Sequence, residues 1–277
     1  MAEFSFYKML ENDRLAEMLH QEVVSGNDAN FALIDQLRSY AEAYARFNQL
    51  TEAEVSQHYR FFASAFMRDL KAFDKDGQYP VQRGATDRTV ERVRYDIALL
   101  FSTFLTGHRY RLMYLVNLHF PKHACRAACI GCGPSLELIF LKNRVDIMEG
   151  YDLSLNPFCR HYHPDVHFYE KPFPDQTKNT YDVILAVELL EHLSDPYELL
   201  RRAHTTLKNG GYILLTTATN VPQFDHLYNF HADHSFFEKT CKEIGFELAY
   251  KECISHRYLS SKTAASNHFY VFRKIIT

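Results

Sequence analysis

Two carboxylates and an imidazole stand at Glu188, Glu191 and His192 in the run VELLEHL. In a turn or helix, positions i, i+3 and i+4 fall on one side, so the three side chains can converge on one divalent cation. Further along, NFHADHSFFEKT supplies His231 and His234 just before an expected helix. Without a metal, His192, His231 and His234 become the general-base candidates, with Glu191 beside them, because imidazole titrates near neutrality. A second histidine-dense run, HYHPDVH, holds His161, His163 and His167. It falls in an expected surface helix and loop, where solvated or packed histidines are the simpler reading than ligands.

A small-molecule cradle is legible upstream. In CIGCGPSLEL an apolar strand ends in Gly131-Cys132-Gly133 and turns toward a helix, so backbone can approach a nucleotide closely while helix N–H groups face it. Ser135 and Leu136 stand where a dinucleotide fingerprint would carry its third glycine, which favours a nucleoside cofactor without phosphates. About twenty residues on, Asp152 ends the next strand, where a carboxylate can accept bonds from both ribose hydroxyls; capping a helix is a role compatible with it.

These residues need a scaffold, and the chain reads as two segments. Residues 1–118 carry helical periodicity, in stretches at 12–24, 28–49, 51–73 and 87–117. Thr51 opens a capping box with Glu54, Asp74 to Gly77 makes a stop, and Val55, Tyr59, Phe62, Phe66 and Leu70 trace one buried face between them. From 119 to 277 short β-type runs alternate with helical ones. This predicts a Rossmann-like α/β domain, a mostly parallel sheet of about seven strands with helices on both faces and ligands at the carboxyl ends of its strands. The helical segment is expected to hold the substrate determinants; its aromatic residues read first as core packing, with a few from Phe101 to Tyr114 as an alternative pocket lining.

Composition narrows the partners. The 277 residues include 47% hydrophobic residues, enough for a full core, and 31 basic against 34 acidic side chains leave a formal charge of −3. No polybasic footprint points to nucleic acid or an anionic membrane, so a small-molecule substrate is favoured. No spanning helix or secretory signal is visible, which makes a cytoplasmic location and reduced thiols the expectation; Cys129 and Cys132 then read as small structural residues. A homodimer is compatible with all of this.

The succession IGCGPS, GYDLS and KPFPDQTKNTYDVILAVELLEHLSDPYELLRRAHTTLKNGGYILLTT closely resembles the class I S-adenosylmethionine (SAM)-dependent methyltransferases, over roughly residues 124–250. The block from Tyr181 to Thr217 carries it most strongly. The resemblance implies that Gly131 and Gly133, with Ile130 and Cys132, lie against the methionine portion of SAM. Asp152 would bind the ribose and Leu153 flank the adenine. Glu170 or Lys171 would stand near the adenine amino group, and Glu188 would complete the cofactor site. Within the superfamily, E-x-x-E-H with a later D-H-x-F resembles the metal-dependent O-methyltransferases of the ubiquinone pathway and of small-RNA 3′ ends. That implies Glu188, Glu191, His192 and His234 as ligands of Mg²⁺ or a similar ion. The ion would hold two neighbouring substrate oxygens and acidify the one that attacks the SAM methyl. E-H-L turns also occur in methyltransferases without metal, where the acid orients SAM. The expected function is methyl transfer to an oxygen of a small molecule. The alternatives are an RNA-end 2′-O-methyltransferase, an enzyme of this fold that uses the aminocarboxypropyl arm of SAM, and a binding protein without chemistry.

Overall fold

The computed structural model describes residues 4–26, 30–84, 91–174, 178–231, 233–258 and 261–275. Six helices come first: α1 (Phe6–Asn12), α2 (Arg14–Val24), α3 (Phe31–Phe47), α4 (Glu52–Asp76), α5 (Arg92–Leu105) and α6 (Gly107–His119). The Thr51 hydroxyl accepts from the Glu54 amide while the Glu54 carboxylate accepts from the Thr51 amide, and Gly77 ends α4 in the left-handed conformation, φ 67°. Both bounds of α4 therefore follow from local chemistry.

The other helical boundaries differ from expectation in three places. The stretch expected at 12–24 is preceded by α1, and Asp13 separates the two by accepting the Ala16 amide at the start of α2. The single helix expected over 87–117 is broken at Thr106, whose backbone is extended before Gly107 begins α6. A β-branched residue followed by glycine is a weak place to continue a helix. Residues 28–29 and 87–90 of the expected helices lie outside the described residues.

The sheet comprises β1 (Ala124–Ile130), β2 (Val145–Asp152), β3 (His167–Glu170), β4 (Tyr181–Ala186), β5 (Leu207–Thr219), β6 (Phe246–His256) and β7 (Ala265–Lys274). Its seven strands run in the order β3-β2-β1-β4-β5-β7-β6, parallel from β3 to β5, with β7 antiparallel between β5 and β6. Helices α7 (Leu138–Leu141), α8 (Pro157–Tyr162), α9 (Pro196–Thr206) and α10 (Ser235–Ile244) connect them. The fold is α/β and Rossmann-like, preceded by the helical segment. The helix expected directly after Gly133 shrinks to the four residues of α7, because Ser135 turns left-handed, φ 59°, and its amide closes a turn on the Cys132 carbonyl at 2.6 Å. Chain order switches direction between β1 and β4, so the crevice of an open α/β sheet opens at their carboxyl ends.

One apolar cluster runs from Phe6 and Tyr44 through Phe101 and Phe104 to Cys129, Leu185 and Leu214, so the helices and one sheet face share a core. A second cluster, with Ile184, Leu200, Phe237 and Phe272, fills the opposite face. No described helix is long and apolar enough to cross a membrane.

Register at the amino end of the sheet rests on Glu149 of β2, which is buried and accepts hydrogen bonds from Arg126 of β1, Tyr151 and Tyr181 of β4. Burial alone would raise this carboxyl, but the bonds from Tyr181, Arg126 and Tyr151 hold it below its ordinary range. Its contribution is therefore present above the unfolded value and lost as pH falls through the folded one. Glu149→Ala should cost about 2–3 kcal/mol at pH 7, the penalty of orphaning buried donors, and the difference from wild type should shrink below pH 4.5 in urea titrations.

Candidate functional site

Strand β1 ends where Gly131 and Gly133 both turn left-handed, at φ 63° and 47°. The Gly131 and Cys132 amides donate to the Tyr151 carbonyl at 2.8 and 3.2 Å, and the Gly133 amide donates to Asp152 Oδ2 at 2.8 Å. A Cβ on Gly131 would stand 2.6 Å from Leu189 Cδ1, so the bare backbone keeps a cradle open below the turn after β4. Asp152 thus sits at the carboxyl end of β2 beside a half-buried glycine loop, the arrangement that suits a ribose next to an amino-acid tail. Ile130 and Cys132 are buried beside it, and burial pushes the Cys132 thiol well above its ordinary range. Leu153 is 77% exposed at the rim. Glu170 is tied to the Leu155 amide at 3.0 Å, and the Lys171 ammonium lies over the Tyr169 ring, 4.7 Å from its centroid.

The turn after β4 is strained. Glu188 is left-handed, φ 50°, and its amide donates to Thr216 Oγ1 at 2.6 Å. Its carboxylate accepts from Thr216 and Asn267 at Oε1 and from Arg109 of α6 at Oε2, at 3.0, 3.1 and 3.1 Å. With both oxygens engaged, Glu188 does not join Glu191 and His192 as the sequence spacing predicted.

Three other ligand atoms do converge. Glu191, His192 and His226 each offer one within 4.8 Å of the others. Glu191 is 1% exposed, and its Oε2 has no hydrogen-bond partner among the described residues. Burial and the Glu188 charge push its carboxyl well above the ordinary range. His226 is buried and its Nδ1 meets the Val221 carbonyl at 2.7 Å, which requires a proton there and leaves Nε2 with a lone pair. Burial, then the neighbouring His192, push its pKa down to about 3. His192 Nδ1 lies 3.4 Å from Asp225 Oδ2, and Asp225 accepts from Tyr95 of α5 and Gln223 at 2.7 Å each. Burial would raise the Asp225 carboxyl, but His192, His226 and the two hydrogen bonds hold it low. The loop folds back onto the E-x-x-E-H turn through the Leu227 and Tyr228 amides, which donate to the Glu191 carbonyl at 2.8 and 3.0 Å.

His234, expected in this group, is elsewhere. Its Nδ1 meets the Tyr270 hydroxyl at 2.9 Å, its Nε2 the Thr219 hydroxyl at 3.2 Å, and its ring lies against His268 at 3.6 Å. Desolvation between these rings lowers its pKa to about 4. His231 is exposed, and Ala232 of the same run lies outside the described residues. In the other run, His161 and His167 are exposed, whereas His163 is fully buried and stacks on Tyr40. A second metal-like group, His123, Cys125 and Asp146, is exposed near the opposite, amino ends of β1 and β2.

Asp225, His226, Arg109 and Tyr95 escaped the sequence reading. The only signal was a second Asp-His pair, Asp225-His226, eight residues before Asp233-His234. Spacing along the chain does not choose between the pairs; the path of the loop does.

Residues 130–252 match a family model described as a methyltransferase domain. The match takes in the strands from the end of β1 to β6, and the preceding helices pack against this part of the chain. A ubiquinone biosynthesis O-methyltransferase from Aeromonas salmonicida (strain A449) is 38% identical over 48 residues, 17% of this chain and 20% of that relative's length. The [4+2]-cyclase SpnF superposes with a TM-score of 0.51 at 16% identity, over 61% of this chain and 82% of that one. The YcgJ protein from Bacillus subtilis does so with a TM-score of 0.51 at 13% identity, over 61% and 100%. At these identities the two structures speak for the fold alone.

The depressed pKa of His226 has a consequence for stability. Below pH 6.5 the unfolded chain takes up a proton on this imidazole that the native state refuses, so stability falls as pH falls from 6.5 toward 3. His226→Asn should flatten the acid limb relative to wild type by up to about 1.4 kcal/mol per pH unit, read from denaturant midpoints at pH 4 to 7.

Proposed function

We propose that the protein transfers the SAM methyl group to an oxygen of a small-molecule substrate bound between the helices and the carboxyl ends of β4 and β5. One observation carries this reading: Glu191, His192 and His226 converge at the turn after β4, whose Leu189 lies against Gly131 of the glycine loop. The methyl donor would take the cradle at Gly131 and Gly133, with its ribose on Asp152. Phe62, Tyr95 and Phe224, whose rings lie 6.2 to 6.3 Å apart, would wall the substrate side; the helical segment 1–118 would then be the substrate region.

The residues fit a divalent cation. Glu191 Oε2 is an orphaned buried acceptor, and His226 keeps an outward lone pair because its other nitrogen is tied to a carbonyl. Asp225 plays the same part for His192. Glu191, His192 and His226 would hold the ion, which when bound would acidify a substrate hydroxyl. Without the ion, His192, oriented by Asp225, is the group placed to accept a proton at Nε2. Glu188 and Arg109 hold the turn after β4 in its strained form, which aims Glu191 inward. The aligned 48 residues of the ubiquinone-pathway relative, an O-methyltransferase, support oxygen as the nucleophile. The formal charge of −3 does not favour an RNA substrate.

A second reading keeps the fold and changes the chemistry, as the likeness to a [4+2]-cyclase illustrates. Products separate the two. Methyl transfer yields S-adenosylhomocysteine, use of the aminocarboxypropyl arm yields methylthioadenosine, and rearrangement of the substrate alone consumes no SAM. For the leading reading, Asp152→Ala should weaken S-adenosylhomocysteine binding roughly tenfold or more in calorimetry. His226→Ala should leave that binding intact and lower turnover roughly a hundredfold. Full turnover in EDTA would remove the cation from the scheme and leave His192 with Asp225 as the base.

A further inference from the structure

Arg92 is the first residue of α5, yet its guanidinium lies over the glycine loop rather than in solvent. Its Nη1 stands 3.7 Å from Asp152 Oδ1, and its Nη2 is 4.0 Å from where a Cβ on Gly133 would be. Nη2 is inaccessible and finds no hydrogen-bond acceptor among the described residues. A buried guanidinium N–H without an acceptor costs free energy unless something supplies one.

The arginine is held there by an ion pair and a chain of hydrogen bonds behind it. Its Nε lies 2.9 Å from Oδ1 of Asp96, one turn along α5 and fully buried. The Tyr44 hydroxyl of α3 donates to Asp96 Oδ2 at 2.7 Å, and Asn156 Nδ2 donates to the Tyr44 oxygen at 2.8 Å. Asn156 lies four residues after Asp152, so the chain of bonds ends on the segment that follows β2. Beside it, the Tyr40 hydroxyl donates to the Pro134 carbonyl at 2.5 Å. Burial raises the Asp96 carboxyl to about 6, while Arg92 and Tyr44 pull against that rise. The helical segment therefore touches both loops that would hold the cofactor through three side chains, Tyr40 and Tyr44 of α3 and Arg92 of α5.

We propose that Arg92 is a cofactor-binding residue contributed by the helical segment, its guanidinium donating through Nη1, the nitrogen that faces Asp152, to the ribose hydroxyls of SAM held by Asp152, so that the cofactor site is complete only with α3 and α5 docked. This rests on SAM occupying the cradle at Gly133 and Asp152. A hydroxyl between Asp152 and Arg92 gives the guanidinium an acceptor, while Asp152, whose oxygens already accept the Gly133 and Ser154 amides, has further lone pairs to offer it. Cofactor binding then tightens the docking of α3 and α5, because ligand and helices share the guanidinium.

The test uses the full chain, with S-adenosylhomocysteine and its 2′,3′-dideoxy analogue as probes in calorimetry. Wild type should bind S-adenosylhomocysteine; failure to bind it would overturn the SAM reading itself rather than the role of Arg92. Arg92→Met should weaken S-adenosylhomocysteine roughly ten- to a hundredfold, and Arg92→Lys by less, because an ammonium keeps the charge and loses the fork. The analogue should bind both Arg92→Met and wild type with affinities within about threefold of each other, since it lacks the hydroxyls the arginine would meet. Amide exchange in α3 and α5 should slow when wild type binds S-adenosylhomocysteine and not when Arg92→Met does at saturation. Equal affinity of wild type and Arg92→Met for S-adenosylhomocysteine overturns the inference. An equal loss on both probes also overturns it, leaving Arg92 a structural residue.

Discussion

The Gly133 amide bonded to the Asp152 carboxylate ties the ends of two adjacent parallel strands, and the rest of the carboxyl edge is arranged around that link. It forms only because Gly131 and Gly133 accept left-handed backbone that a residue with a Cβ adopts at a cost. Leu189 rests against the bare Gly131, and the strained Glu188 turn carries Leu189 to that position. The same turn aims Glu191 inward. One conformational constraint at the end of β1 thus propagates to the second strand end and to the turn that bears the acid.

Polar groups, more than apolar area, set how the helical segment sits on the sheet. The shared apolar cluster is non-directional and tolerates small shifts. Buried Asp96 and Asn156 do not, because each must find its donors or acceptors in one geometry. Tyr40, Tyr44, Arg92, Tyr95 and Arg109 all reach from helices to loops at the carboxyl ends of strands. The docking is consequently specified at the site, where an error of register would leave several buried groups unpaired.

The histidines divide by environment. His163, His226 and His234 are buried against rings or carbonyls and held neutral, their pKa values lowered to between about 3 and 4 chiefly by desolvation. His108 and His256 stack face to face, 3.8 Å between centroids, beside Tyr258. His161, His167 and His231 are solvated. An imidazole kept neutral with one nitrogen tied and the other free is a preformed acceptor, and His226 meets that description.

By itself the sequence determined the alternation of strands and helices, the G-x-G turn, the placement of Asp152 at a strand end and both bounds of α4, because each depends on residues within a few positions of one another. It did not determine the break at Thr106 or the shortness of α7, where a single turn competes with helical periodicity. Nor did it determine which Asp-His pair reaches the E-x-x-E-H turn. Asp225-His226 and Asp233-His234 offer the same chemistry, and only the bonds from Leu227 and Tyr228 to the Glu191 carbonyl bring the first pair in, while Tyr270 and Thr219 take His234 away. Glu188 was spaced to join the cluster and is held out of it by Thr216, Asn267 and Arg109, partners 28, 79 and 79 residues distant. Contacts of that range leave no periodic trace in a chain, so the tertiary structure alone decided the membership of the site.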